Sequence, residues 1–120
     1  MKYLIAACAL LFVATAAQAD RPDHFRGLPA DTLQEAVQNF SEYNQRLAAV
    51  LENRNLGRAQ MAEVHQLTYT LENALEKIQA EVNALVDTLE ELHIASEGTD
   101  ARDMQRKGRV YLETATQIVR

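Results

Sequence analysis

Residues 61–92 read MAEVHQLTYTLENALEKIQAEVNALVDTLEEL. Within them Met61, Val64, Thr68, Leu71, Leu75, Ile78, Val82, Leu85, Leu89 and Leu92 recur at alternating spacings of three and four, the period of a coiled-coil seam. No Gly or Pro lies between Ala59 and Glu97, so the stretch predicts one continuous helix of nearly forty residues. At about 1.5 Å per residue it would be roughly 55–60 Å long. Such a seam needs other helices to cover it.

Working outward, two shorter helices flank the long one. Asp31-Thr32-Leu33-Gln34 reads as a capping box, with Asp31 accepting from the first-turn amides and Gln34 reaching back. It starts a helix over 31–52 with the apolar stripe Leu33, Val37, Phe40, Leu47 and Leu51, interrupted by Asn44. Asn53-Arg54-Asn55-Leu56-Gly57 is a polar connection short enough to join antiparallel neighbours, and Leu56 with Met61 suits a hydrophobic staple around a Gly57 cap. The long helix is placed over 57–97, ending at Gly98 as a left-handed terminator. A third helix over 100–119, capped by Thr99 or Asp100, carries Met104, Gly108, Tyr111, Ala115 and Ile118 on one face.

The registers predict an all-α fold in which two helical arms pack antiparallel on a long central helix. Folding back at residue 55 sets Leu47 beside Val64, Phe40 near Leu71 and Leu33 near Ile78. Folding back at residue 98 sets Met104 near Leu92, Tyr111 near Leu85 and Ile118 near Ile78. The arms then cover opposite halves of the long helix and meet near Ile78. One layer of helix on helix is a thin core, and an antiparallel homodimer crossing near Ile78 would complete a four-helix bundle. The seam residues Thr68, Leu71, Leu75, Ile78, Val82, Leu85 and Leu89 are the candidate interaction surface. Thr68 is expected to return its hydroxyl to the Val64 carbonyl, with Asn44 facing it and His65.

At the front, Lys2 precedes an apolar run from Leu4 to Ala17 that ends in Ala17-Gln18-Ala19, the small-x-small pattern read by signal peptidase. Residues 1–19 are therefore expected to be a signal peptide removed on export, in a form that suits a bacterial periplasm. Ile5-Ala6-Ala7-Cys8 faintly resembles a lipoprotein box, but cleavage there would leave almost no apolar region. With the sole cysteine, Cys8, in the leader, disulfides and thiol chemistry are excluded from the mature chain. The leader's apolar run is too short for a membrane span and nothing later resembles one, so residues 20–120 are expected to form a single domain without a membrane span. Residues 20–30 form an extended arm ahead of a helical domain over 31–120. His24 and Phe25 in that arm are candidates for contact with another protein; otherwise Phe25 and Leu28 act as a strap over the bundle end.

The net charge of −5 for the whole chain argues against nucleic acid as a partner. Between Gly57 and Glu97 there are eight acids and two bases, whereas Gly98 to Arg120 holds three acids and five bases. Arg102, Arg106 and Arg109 are thus expected to offset Asp87, Glu90, Glu91 and Glu97 across the second helical hairpin.

Chemistry-bearing patterns are sparse. There is no nucleophile elbow, no glycine-rich phosphate loop, no HExxH motif and no paired cysteines, so no enzyme and no cofactor are expected. Neither seam carries the inward Glu that a di-iron bundle needs. Met61 and His65 stand one helical turn apart and are candidate copper ligands. His93, about 42 Å further along the same helix, can approach them only from a second, antiparallel copy. Three classes of function remain: a periplasmic interaction or self-assembly protein, a stress chaperone or adaptor taking apolar segments on its seam, and a weak copper binder.

The segments RPDHFRGLPADTLQEAVQNFSEYNQRL and MAEVHQLTYTLENALEKI resemble those of a family of small, secreted, uncharacterised helical proteins of gammaproteobacteria. No activity is assigned to that family, so the resemblance carries no catalytic or binding residue to this chain. The likeness to four-helix haem proteins of the cytochrome b562 type is one of architecture alone. This chain has no CxxCH, no His in its final helix and no Met in its first.

Overall fold

A computed structural model describes residues 26–119. Among these residues the chain forms three helices and no strand: α1 (Leu33–Leu51), α2 (Arg58–Glu97) and α3 (Ala101–Ile118). The signal-peptide assignment and the arm residues His24 and Phe25 lie outside the described residues. No helix among them is long and apolar enough to cross a membrane.

The helix ends show which local contacts won. The cap of α1 is Thr32, one residue later than the sequence suggested. Its hydroxyl accepts from Glu35 N–H at 3.2 Å, and the Glu35 carboxylate accepts from the N–H groups of Thr32 and Asp31 at 3.0 and 3.1 Å. The register with Glu at the third position prevails over Asp31 with Gln34 for a physical reason. A carboxylate near the positive helix end is a stronger acceptor than an amide oxygen. At the start of α2, Gly57 is the cap and its N–H donates to Gln60 Oε1 at 3.0 Å. Leu56 and Met61 both stay largely exposed, so the expected staple removes little apolar area from water. Gly98 is extended at φ −85° and ψ −168°, not left-handed as the sequence suggested. The end of α2 is closed by the Gly98 N–H, which donates to the Ala95 carbonyl at 3.2 Å, and Asp100 caps α3 by accepting from the N–H groups of Arg102 and Asp103 at 2.9 and 3.2 Å.

The core lies between α1 and the amino half of α2. Leu33, Ala36 and Val50 are buried from one side, and Leu67, Thr70, Leu71 and Ala74 from the other. Full burial of a large apolar side chain contributes about 1.5–3 kcal/mol, so this cluster is where the fold is held. Beyond Ala74 no residue of α2 is buried, and α3 has none. α3 packs back on the carboxyl half of α2, where a Cβ built on Gly108 would lie 3.6 Å from Leu92 Cδ1. The end of α3 reaches α1, and Gln117 and Ile118 line a groove together with Gln34, Val37 and Ser41.

Two polar expectations are corrected. Thr68 donates its hydroxyl to the carbonyl of His65 at 2.7 Å, three residues back, and not to Val64. The basic residues of α3 do not pair with the carboxylates of α2. Arg106 and Lys107 both bind Asp103 within their own helix, the lysine at 3.1 Å. Neighbours three and four residues apart on one helix are closer than groups facing across two, so local pairs win at an exposed surface.

Candidate functional site

Two surfaces of α2 stand out. The first receives the arm. Gly27 adopts φ +68°, and a Cβ there would sit 2.6 Å from Thr70 N and 2.7 Å from Tyr69 C, so only glycine lets the arm backbone rest on the helix backbone. Leu28 N–H donates to Thr70 Oγ1 at 3.0 Å. The Asn73 side-chain amide donates to the carbonyls of both Arg26 and Leu28 at 2.9 Å. Asn39 in α1 holds the next carbonyl, that of Pro29, at 3.1 Å. The sequence expectation of a strap over the bundle end is therefore corrected: this part of the arm docks at mid-helix. The reason is one of length. The 19-residue α1 lies antiparallel to the 40-residue α2, so the segment preceding it lands beside the middle of the longer helix.

The second surface is apolar and open. On α2, Leu75 is 48% exposed, Val82 41%, Val86 64% and Leu89 47%. Ile78 and Leu85 between them are half-buried, as is Thr68, whereas Leu71 is buried in the core. The candidate seam therefore divides. Its amino end contributes Leu71 to the α1 contact, and Leu75, Val82 and Leu89 of its middle and carboxyl part face outward. Val86, which lies off the strict three-four seam, belongs to this surface.

The family model for a family of unknown function, DUF6746, matches residues 1–120. The chain belongs to that family. No curated protein and no solved structure matches it.

The DUF6746 chain keeps its candidate metal ligands apart. Met61, His65 and His93 are all exposed, and the two histidines sit 28 positions apart on one unbroken helix, about 42 Å at 1.5 Å per residue. His65 is engaged locally: its Nε2 shares a hydrogen bond of 3.2 Å with the Tyr69 hydroxyl, and the two rings meet edge-on with centroids 5.1 Å apart. His93 approaches Glu97 at 3.5 Å one turn on. Among the described residues no three His, Cys, Asp or Glu side chains gather in a metal-holding cluster.

Gly27, Thr70 and Asn73 are the structurally decisive residues that sequence reasoning did not single out. One signal was available: Thr70 and Asn73 lie on or beside the face that α1 must cover, where an unpartnered polar group is costly and so implies a partner. Nothing in the sequence said that this partner was the backbone of the arm.

Proposed function

We propose that this chain is a non-enzymatic periplasmic helical protein that acts by protein–protein interaction, first of all with itself as an antiparallel homodimer, and then with another envelope protein. The observation carrying this reading is the uncovered apolar row on the carboxyl half of α2, next to an α3 that has no buried residue. A hairpin in which neither helix seals a core gains stability from a further helical layer, and a second copy supplies one. The export signal read in residues 1–19 supports the compartment. The absence of catalytic motifs in the sequence supports a non-enzymatic role.

The same exposed row favours one other reading, a stress chaperone or adaptor that takes apolar segments on the open seam. Light scattering over a tenfold or wider concentration range separates the two. A stable dimer is the expected result. A well-folded monomer that binds a hydrophobic dye would overturn self-assembly and leave the open seam as the binding site.

A further inference from the structure

We infer that two copies pair through α2 in an antiparallel arrangement whose two-fold axis passes at Val82. This register rests on the homodimer reading and goes beyond it.

The outward row is self-complementary. Leu75 and Leu89 lie seven residues to either side of Val82, and the half-buried Ile78 and the exposed Val86 lie four to either side. At 3.6 residues per turn these five positions fall within about 80° of arc, and their span is roughly 21 Å of helix. A two-fold axis at Val82 therefore sets Leu75 against Leu89 of the partner subunit, Ile78 against Val86 of the partner subunit, and Val82 against itself. Within this row each contact joins an apolar side chain to an apolar side chain, which is the condition an isologous interface must meet.

A crossing at Ile78, the point suggested by the sequence registers, fails this condition. It would direct Val82 to Ala74, Val86 to Thr70 and Leu89 to Leu67. Those three residues are already sealed by the packing of α1 and the arm, with Ala74 and Thr70 at 0% exposure. The two-fold at Val82 uses the part of α2 that α1 leaves open. It also leaves α1 of one copy and α3 of the other flanking each half of the α2 pair.

Charge selects antiparallel over parallel. Between Ile78 and Glu97 there are five acids and no base, whereas Arg58 to Lys77 holds three acids and two bases. A parallel pair would set the strongly acidic halves side by side; the antiparallel pair moves them to opposite ends.

Single cysteines test the register in a full chain whose native Cys8 is replaced by alanine. With Val82→Cys, mild oxidation should convert most of the protein to a disulfide-linked dimer, because a residue on the two-fold faces its own copy. Ile78→Cys should remain largely uncrosslinked. Leu75→Cys and Leu89→Cys should each stay single-chain alone and crosslink when the two variants are mixed and allowed to exchange subunits. Circular dichroism checks that each variant keeps its helicity. A light-scattering dimer that crosslinks at residue 78, or at none of these positions, would overturn the register while leaving the homodimer standing. A monomer with no crosslink would overturn both.

Discussion

The Asn73 amide nitrogen lies 2.9 Å from the Leu28 carbonyl, a contact spanning 45 positions of sequence, and it makes a second bond of the same length to the Arg26 carbonyl. One side chain in the middle of a helix thereby holds an irregular segment in place. The arm has no strand to pair with, so the carboxamide takes the place that a neighbouring backbone would fill.

Replacing Asn73 by alanine should loosen the arm without unfolding the helices. Each bond is worth about 0.5–1.5 kcal/mol, and the lower end applies at an exposed site where water replaces the lost donor. Limited proteolysis should cut the variant faster within residues 26–30. An unchanged cleavage rate would show that Gly27 and Thr70 hold the arm unaided.

Gly27→Ala should release the arm more completely. Left-handed backbone costs an L-residue about 1–2 kcal/mol, and the added methyl would also collide with the backbone at Thr70, 2.6 Å away. Hydrogen exchange should then show faster exchange at the Leu28 amide, whose partner is the fully buried Thr70 hydroxyl. Retained protection at that amide would count against the docked geometry.

The two candidate caps of α1 are separable by mutation. Thr32→Ala should lower stability by about 1 kcal/mol, since the hydroxyl satisfies a first-turn amide. Asp31→Ala should change it by much less, because only the backbone of Asp31 takes part. Thermal or urea unfolding reads both, and the opposite ranking would restore Asp31 as the cap.

Gly108→Ala should stabilise the protein by about 0.5–1 kcal/mol. Glycine in mid-helix costs backbone entropy, and the new Cβ would meet Leu92 at 3.6–4.0 Å, ordinary van der Waals contact. A drop in melting temperature would mean that α3 packs closer to α2 than this.

Ala36 and Ala74 show how the packing of α1 departs from the strict three-four seam. Both are 0% exposed, and together with Leu67 they place α1 to one side of the strict seam. Small side chains allow close helix approach, so the contact shifted toward them and left Leu75, Val82 and Leu89 uncovered. The periodic pattern marks which residues are apolar, but a wide apolar stripe offers more than one contact line. The choice among them depends on packing density between helices far apart in sequence. The one-residue shift of the α1 cap has a more local cause. Asp31 and Thr32 are adjacent, each is a good acceptor, and the carboxylate of Glu35 decided between them.

The sequence by itself determined the three helices, because periodicity, the lack of breakers and the capping residues act over a few neighbouring positions. Belonging to the DUF6746 family is likewise a property of the sequence. Only the tertiary structure decided which stripe of α2 is spent on α1, where the arm docks, and which apolar row is left open. Those outcomes turn on contacts between separate elements, in the arm between residues more than forty positions apart, such as Leu28 with Thr70. Their stability depends on the space left by side chains that local patterns do not relate to one another.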